Sequence, residues 1–382
     1  MKICGCNLIK AFGLILLAIV LACSNGIDSE KIRIKRLNLN IEGGGTVTVE
    51  PDKEFYYEGE VVVLEIVDDL CWEFAGWSGA LEGFNTKAII TISTDITITA
   101  SFRSKCKIAF TRLMEGTEYR YDIYLMNVDG SEVQNLTNDE YIGSNYANPK
   151  WSPAGDKIAF LYVDYQLQSN RFLMIMETDG TNRDTIGYDC SSFTWSPDGN
   201  QIAFKGRRYS DSDNRWAYVY SLTNETYDSL LFGFSGFDWS PNGQYFVYSE
   251  DCHNIDYDCF GADLYMVNRH NWSDVHRITD TCCLNLMNPQ WAPDGFRIAA
   301  YGSPYHYWAP AGIYIVTIEG NIIQYIGLTS RFSWSPDGNR CVISCGGGDK
   351  ICILDINGTT SDVIYTSRGV RGTYVSWSPV LE

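Results

Sequence analysis

The chain has 382 residues, of which 45% are hydrophobic, 20% are charged and 14% are aromatic. This composition can bury a sizeable core and argues against a disordered chain, and the length predicts two or three domains. The formal net charge of −18 argues against a protein that binds DNA or RNA, because no positive excess exists to displace phosphate counterions. A long coiled coil is disfavoured as well, since β-branched and aromatic residues dominate and no heptads are sustained.

The N-terminal segment predicts an export signal. The apolar run Ala11–Ala22 is flanked by lysines on its N-terminal side and is too short for a comfortable transmembrane helix. The run ends in Val-Leu-Ala and is followed by Cys23, an ending that resembles the lipobox of bacterial lipoproteins. The resemblance implies that residues 1–22 are removed, that Cys23 is lipidated, and that residues 23–36 form the anchor and a short tether. The alternative is an ordinary signal peptide followed by a coincidental cysteine.

One pattern recurs along the last three quarters of the chain: a tryptophan, then Ser-Pro-Asp-Gly or a close variant, then Ile-Ala-Phe or a similar apolar triplet. Ser, Pro and Gly suit positions i, i+1 and i+3 of a type I turn, so each copy predicts a hairpin, and further strands follow it. The tryptophans are 44, 44, 52, 43 and 43 residues apart, which is the length of one four-stranded propeller blade. They are Trp151, Trp195, Trp239, Trp291, Trp334 and Trp377.

The two ends of this array are incomplete in complementary ways. The first unit, around Ile108, lacks the Trp-Ser-Pro strand, whereas the last unit, Val375–Pro379, has only that strand. Joining the two completes a ring and removes an open sheet edge, which would otherwise invite aggregation. We therefore predict a six-bladed β-propeller over residues 105–382.

The repeated Trp-Ser-Pro-Asp-Gly…Ile-Ala-Phe…Asp-Ile-Tyr-Leu-Met pattern resembles the TolB-like six-bladed propellers. The Gly-His and Trp-Asp signatures of WD-repeat blades do not occur in the sequence. The resemblance implies the fold but leaves the function open, since the family includes envelope scaffolds, lids of peptidases and a few lyases.

Residues 37–104 predict a small N-terminal antiparallel β domain, because alternating β-branched residues are separated by glycine turns. The order and wording of its segments resemble the divergent internalin B-repeat, a surface-protein module. These segments are Gly43–Pro51, Tyr57–Leu64, Phe74–Gly79 and Asp95–Phe102. The resemblance implies a spacer or adhesion element. The predicted fold class of the whole chain is therefore all-β.

Sequence motifs for catalysis are missing. No G-x-S-x-G nucleophile elbow, no glycine-rich phosphate loop and no D-x-D-x-D-G calcium loop occurs. The blade pattern predicts His270 and His276 in a turn between third and fourth strands, on the face opposite to His253 and His306. We therefore predict a protein without catalytic residues, metal or cofactor. The alternative is a metal-dependent carbohydrate lyase or another propeller hydrolase.

Ten cysteines remain once the signal and Cys23 are set aside, and an exported chain can pair them as disulfides. We predict a bridge between Cys252 and Cys259, because both lie in Glu250–Ala262, the predicted loop that stretches one blade spacing to 52. Zinc is disfavoured, since the remaining cysteines lack CxxC spacing. The alternatives to the bridge are two free thiols or pairing with a cysteine of a neighbouring loop: Cys190, Cys282 or Cys283.

The predicted loops between second and third strands vary in length and chemistry, unlike the short, uniform Trp-Ser-Pro turns. These loops share one face of the predicted propeller with the blade-to-blade connections; we call it the loop face. Exposed Tyr, Trp and Arg dominate binding energy, and loops on a rigid scaffold concentrate function. We predict a binding site there, centred on residues 305–308. Its residues are Arg207, Arg208, Tyr209, Tyr257, Tyr305, His306, Tyr307 and Trp308. The alternative is that several of these rings only cover the mouth of the channel.

Together these features predict a lipoprotein of the cell envelope, at the outer membrane or cell surface and facing the periplasm or the exterior. We expect a non-enzymatic, monomeric binding or scaffold protein with a protein or glycan ligand and no nucleic-acid partner. Membrane attachment is expected through the lipid on Cys23. Without residues 1–22 the chain has 27 basic and 47 acidic side chains, and such a body does not by itself adhere to an anionic membrane.

Overall fold

The computed structural model describes residues 33–114, 117, 120–139, 144–164, 170–207, 216–230, 236–254, 259–281, 284–304, 310–327, 331–345, 349–356, 361–366 and 373–381. The chain divides into two compact units, Met1–Arg103 and Ser104–Glu382. All regular elements of the described residues are β-strands, so the predicted all-β class is confirmed. This part of the chain contains no helix that is long and apolar enough to cross a membrane.

The first unit has eight strands in its described part. They are β1 (Ile34–Lys35), β2 (Leu37–Glu42), β3 (Thr46–Glu50), β4 (Tyr56–Tyr57), β5 (Glu60–Val67), β6 (Trp72–Gly79), β7 (Lys87–Ile92) and β8 (Ile96–Ser104). Two three-stranded sheets, β2–β8–β6 and β3–β5–β7, accompany a two-stranded ribbon, β1–β4. Alternate residues of the strands, such as Val62, Leu64 and Ile98, are fully buried in one core, as expected for sheets that each bury one face.

Two predictions for this unit are wrong in detail. The unit is not wholly antiparallel, because β2 and β8 run parallel with Leu37 opposite Ile96. The predicted tether does not extend to residue 36, because Ile34 already pairs with Tyr57 in the β1–β4 ribbon. Alternation along one strand predicts which face is buried, but it does not predict which partner strand lies beside it.

The second unit contains the other twenty-three strands of the described residues. They are β9 (Lys107–Leu113), β10 (Tyr121–Asn127), β11 (Gln134–Asn135), β12 (Ser144–Trp151), β13 (Lys157–Asp164), β14 (Asn170–Glu177), β15 (Asp184–Trp195), β16 (Gln201–Arg207), β17 (Trp216–Ser221), β18 (Thr226–Leu230), β19 (Phe237–Trp239), β20 (Tyr245–Asn254), β21 (Cys259–Asn268), β22 (Asn271–Arg277), β23 (Leu284–Trp291), β24 (Arg297–Pro304), β25 (Gly312–Thr317), β26 (Ile322–Ile326), β27 (Phe332–Trp334), β28 (Arg340–Cys345), β29 (Lys350–Asp355), β30 (Ser361–Thr366) and β31 (Val375–Trp377). These strands form four four-stranded sheets and one seven-stranded sheet.

Each four-stranded sheet of the second unit follows the strand order that the repeat predicts. In one of them, β23 ends in a repeat tryptophan and pairs with β24, which pairs with β25, which pairs with β26. The apolar triplet of β24, Ile298 to Ala300, is at most 2% exposed, because a central strand is covered on both faces. In the equivalent turn of another repeat, Ser196 Oγ accepts a hydrogen bond of 2.9 Å from the backbone N–H of Gln201. Gly199 in that turn has a φ of 70°, which glycine adopts without strain.

The C-terminal strand completes the first sheet of the second unit. β31 pairs antiparallel with β9 and places Trp377 opposite Ile108. The predicted union of the last Trp-Ser-Pro strand with the first repeat is therefore confirmed.

Strand β15 serves two repeats. Its first half pairs with β14, its second half pairs with β16, and the register is irregular between Tyr188 and Ser192. This strand fuses two repeats into the seven-stranded sheet. The count of six blades therefore stays a prediction of the repeat spacing.

The predicted loop Glu250–Ala262 is wrong for most of its length. β20 continues to Asn254, β21 begins at Cys259, and their pairing is regular as far as these two residues. The insertion that stretches the spacing to 52 thus lengthens a hairpin. Antiparallel pairing that begins in a core can extend outward as long as both strands supply backbone partners.

Candidate functional site

A central cavity of about 630 Å³ lies between the first strands of the repeats. Its lining includes residues of β12, β15, β19, β23, β27 and β31, each of which ends in a repeat tryptophan. The lining also reaches Asn145, Arg171 and Tyr374, at the ends of strands that the connectivity places on the loop face. The cavity therefore extends from the tryptophan ends of the strands to the loop face.

The residue before each repeat tryptophan bonds to the next strand around this cavity. Within the described residues the contacts form a closed cycle, which we call the inner ring. The cycle consists of Lys150 with Phe193, Thr194 with Asp238, Asp238 with Trp291, Gln290 with Phe332, Ser333 with Trp377 and Ser376 with Trp151. Because most of these contacts join a side chain to the backbone of a neighbouring repeat, they hold adjacent repeats in fixed positions.

The charged members of the inner ring are Lys150 and Asp238. Asp238 accepts a hydrogen bond of 2.8 Å from the backbone N–H of Trp291 and another from the hydroxyl of Thr194. Burial raises the pKa of Asp238 above its usual value, although Lys150 and these hydrogen bonds act in the opposite direction. Burial likewise lowers the pKa of Lys150, and Asp238 partly offsets this. The two charges thus compensate each other in surroundings that favour neutral groups.

The described lining of the cavity carries more positive than negative charge. Lys150, Arg171 and Arg331 are its cations, and Asp238 is its anion. The guanidinium of Arg331 lies 3.7 Å from the ring centroid of Tyr374, which orients it by a cation–π contact. In a chain with a net charge of −18, such a cleft concentrates positive potential and favours ligands with acidic groups.

Of the eight binding residues predicted from the sequence, the structure describes Arg207. It ends β16 on the loop face, its side chain is 32% exposed, and its guanidinium forms an ion pair with Asp189. Since Asp189 neutralises this cation, Arg207 offers little charge to a ligand. The other predicted binding residues lie outside the described residues: Arg208, Tyr209, Tyr257, Tyr305, His306, Tyr307 and Trp308. The predicted lipidation site, Cys23, lies outside them as well.

Sequence reasoning missed two fully buried carboxylates in third strands: Asp122 at the start of β10 and Asp263 in the middle of β21. Asp263 accepts hydrogen bonds from the Thr279 hydroxyl (2.9 Å), from the backbone N–H of Thr281 (2.8 Å) and from Arg277. The Thr279 hydroxyl in turn accepts from the backbone N–H that follows Asp263. We call this arrangement a carboxylate latch, since it ties a third strand to the segment after the fourth.

Asp122 forms the second carboxylate latch, with a different set of partners. Asp122 accepts hydrogen bonds from Asn135 Nδ2 (2.9 Å) and Arg120 Nε (3.4 Å). Burial raises the pKa of Asp122 above its usual value, against the effects of Asn135 and Arg120. At Asp263 burial also acts upward most strongly, but the hydrogen bonds from Arg277, Thr281 and Thr279 outweigh it and lower the pKa. The sequence signal was an Asp-x-Tyr strand followed by Leu-Thr or Ile-Thr, at Thr137 and Thr279.

The histidines are only partly where the sequence predicted them. His270 lies between β21 and β22, as predicted, but His276 lies within β22 and is exposed, with Nε2 2.8 Å from Asp274 Oδ1. The side chains of His253 and His306 are outside the described residues. Among the side chains that the structure describes, no group of three or more His, Cys, Asp or Glu could hold a metal ion.

The cysteines show a disulfide between Cys345 and Cys352, which joins β28 to β29. Cys71 and Cys106 also take part in disulfides, whereas Cys190 and Cys341 are free and buried. Burial raises the pKa of the Cys341 thiol to about 12, so this thiol is unreactive at neutral pH. The side chains of Cys252 and Cys259 lie outside the described residues, and their bridge stays a prediction.

Comparison with known proteins bears on both units. Residues 36–106 match the family of the divergent InlB B-repeat domain. TolB from Acinetobacter baumannii is a structural neighbour with a TM-score of 0.57 and 21% identity over 72% of this chain. The second unit therefore has a β-propeller fold similar to that of TolB. This chain spans 66% of the Acinetobacter TolB chain, just under two thirds of its length.

Other solved structures share the fold at lower identity. Hydrazine synthase from Kuenenia stuttgartiensis has a TM-score of 0.53 and 13% identity, over 72% of this chain and 47% of that one. The nidogen/laminin complex has a TM-score of 0.51 and 8% identity, over 72% of this chain and all of that one. The comparison with curated proteins gave no match. At these identities the likeness establishes the fold alone.

Proposed function

We propose that the protein is a lipoprotein of the cell envelope and a non-enzymatic binding or scaffold protein. The lipid on Cys23 holds it to the membrane, and the loop face of the propeller binds a protein or glycan ligand. The resemblance to TolB-like propellers, a family that includes envelope scaffolds, supports this role, as does an InlB B-repeat module of the kind that serves as a spacer or adhesion element.

The observation that carries the proposal is the charge of the central cavity. A cation-rich lining in a strongly acidic protein is a local site of positive potential that attracts the acidic groups of a ligand. Arg171 is exposed and lies where the cavity meets the loop face, so it is accessible to a ligand. We therefore propose that the protein or glycan ligand presents carboxylate, phosphate or sulfate groups to this opening.

Anchoring is tested by replacing Cys23 with Ala and following membrane fractionation. The variant should leave the membrane fraction, and mass spectrometry of the wild type should find acyl chains on Cys23. A variant that stays with the membrane as before would contradict the lipid anchor.

Binding is tested with the lipid-free mature chain as bait for envelope proteins and glycans. Trp308→Ala and Arg171→Gln should weaken capture of the ligand found, whereas Arg171→Lys, which keeps the charge, should largely retain it. The matched control is Phe296→Ala, since Phe296 is 65% exposed. It directly follows the Trp291-Ala-Pro-Asp-Gly turn, at the opposite end of the strands from the loop face. Equal losses from Trp308→Ala and Phe296→Ala would contradict binding at the loop face.

The same preparation addresses catalysis. Acidic polysaccharides are incubated with the mature chain with and without divalent cations, and products are separated by size. Binding without cleavage is expected. Metal-dependent product formation would contradict the non-enzymatic role.

A further inference from the structure

The β1–β4 ribbon of the first unit presents apolar side chains beside cations. Ile34 and Tyr57 are cross-strand partners and are 57% and 61% exposed, so they lie side by side on one face. The guanidinium of Arg36 lies 5.0 Å from the ring centroid of Phe55, which is 40% exposed. Tyr56, between the two exposed aromatic rings, is buried, so alternation directs Phe55 and Tyr57 outward together. We call the outward side chains of Ile34, Arg36, Phe55 and Tyr57 the ribbon face.

The first strand of the ribbon and its flanking residues supply cations near the ribbon face, while Glu54 and Glu58 flank the aromatic residues of the second strand. Arg33, Lys35 and Arg36 are three cations within four residues. Arg33 forms an ion pair with Glu58 at 3.4 Å, with both side chains well exposed to water, where such pairs are weak and exchange readily. Arg36 keeps its guanidinium over an aromatic ring. Exposed aromatic and apolar groups interleaved with cations suit the headgroup region of a bilayer, where both kinds of residue concentrate.

The length of chain before the ribbon brings this face close to a membrane. Ten residue steps separate Cys23 from Arg33, and they span at most about 35 Å when fully extended. A lipid on Cys23 would therefore keep the ribbon within that distance of the headgroups. Among the described residues of the same unit, Phe84 and Ile89 have the most exposed apolar side chains, at 81% and 70%. They lie between β6 and β7 and within β7, farther along the chain from Cys23.

We propose that the ribbon face is a membrane-docking surface. Ile34, Phe55 and Tyr57 enter the headgroup region of the bilayer, and Arg36 approaches its anionic lipids. This inference rests on the lipid anchoring proposed above. Docking would hold the first unit against the membrane, where the tether alone would let it move freely.

The test replaces Cys23 with an N-terminal hexahistidine tag on the complete mature chain. The tag binds a nickel-chelating lipid in vesicles of phosphatidylcholine with phosphatidylglycerol, so the result does not depend on acylation. Hydrogen exchange is followed by mass spectrometry with and without vesicles. We expect exchange in residues 33–36 and 54–58 to slow by about threefold or more on the vesicles, and the segment around Phe84 to be unchanged. Equal exchange with and without vesicles would overturn the proposal.

Paired variants keep this test specific. Ile34→Ser with Tyr57→Ser should abolish the protection, whereas Phe84→Ser with Ile89→Ser removes as much exposed apolar surface and should leave it intact. Loss of protection in both pairs, or equal protection on vesicles of phosphatidylcholine with the chelating lipid alone, would overturn docking to an anionic surface. Protection on vesicles together with an unacylated Cys23 in cells would support the docking surface and contradict the anchor. Acylation of Cys23 in cells without protection of the ribbon on vesicles would support the anchor and contradict the docking surface.

Discussion

Ser376 and Trp151 are 225 residues apart in sequence, yet the Ser376 hydroxyl accepts a hydrogen bond of 3.3 Å from the backbone N–H of Trp151. The contact joins β31 to β12 and closes the inner ring. Both residues are less than 10% exposed, so water does not readily replace the bond. Together with the pairing of β31 and β9, it ties the C-terminal end of the second unit to the first repeats.

Removing this closing contact should destabilise the second unit. In Ser376→Ala the buried N–H of Trp151 loses its partner, and we expect the free energy of unfolding to fall by about 1–3 kcal/mol. Urea unfolding of the mature chain, followed by tryptophan fluorescence, measures the change. The control is Ser229→Ala, since Ser229 is exposed in the edge strand β18. The same small change in both variants would contradict a stabilising role for the closure.

The two carboxylate latches should respond to pH in opposite directions. The pKa of Asp263 is lowered on folding, so its ionised form stabilises the fold above the usual pKa of about 3.9, and this contribution is lost as the pH falls through the lowered pKa. The pKa of Asp122 is raised, so its contribution is largest at low pH and declines as the pH rises through the raised pKa.

Isosteric variants measure this difference. Asp263→Asn should lower the free energy of unfolding clearly at pH 7 and less below pH of about 4. Asp122→Asn should lower the free energy of unfolding less at pH 7 than at low pH. Urea unfolding at a series of pH values gives both curves. Parallel curves for the two variants would contradict the opposite pKa shifts.

The buried charges of the inner ring should be energetically coupled. Lys150→Met or Asp238→Asn alone leaves a charge without its compensating partner, whereas the double variant removes both charges. We expect a coupling free energy of about 0.5–3 kcal/mol from a double-mutant cycle of unfolding. Pairing Lys150→Met with the exposed Ser229→Ala provides an additive control. A coupling indistinguishable from that control would show that the two charges do not interact.

The disulfide between Cys345 and Cys352 should stabilise its hairpin. The cysteines are seven residues apart in sequence, and the chain-entropy model gives about 2 kcal/mol for a loop of this size. The double variant Cys345→Ser, Cys352→Ser should lose that amount under non-reducing conditions. Cys341→Ser, which alters a buried free thiol in the same strand, separates loss of the bridge from a change of core polarity. A double variant as stable as the wild type would contradict the prediction.

Strand register also bears on the predicted bridge between Cys252 and Cys259. The β20–β21 pairing sets Cys252 opposite Gly261 and Cys259 opposite Asn254, one diagonal step apart. Cys345 and Cys352 are also one diagonal step apart, along the other diagonal, with their Cα atoms at 6.1 Å. Non-reducing peptide mapping should recover a Cys252–Cys259 link. Linkage of either residue to Cys190, Cys282 or Cys283 would reject it.

Local sequence determined the strand order of the second unit. A Trp-Ser-Pro-Asp-Gly turn needs only adjacent residues to form, and its repetition every 43 to 52 residues specifies strands of similar length and partners. Even the union of β31 with β9 followed from the sequence, because the two incomplete ends had complementary missing strands. The sequence predicts a loop where β20 and β21 in fact extend to Asn254 and Cys259. Polar and aromatic residues can continue a strand pairing as readily as form a loop.

Tertiary structure alone decided which side chains meet. The inner ring uses Lys150, Thr194, Asp238, Gln290 and two serines at equivalent positions, so no shared residue type marks it in the sequence. Its members become neighbours only when strands some 43 to 52 residues apart surround one cavity. The ribbon face likewise depends on Ile34 pairing with Tyr57. Hydrogen bonding and charge compensation act over a few ångströms, and sequence separation does not predict which distant residues come within that range.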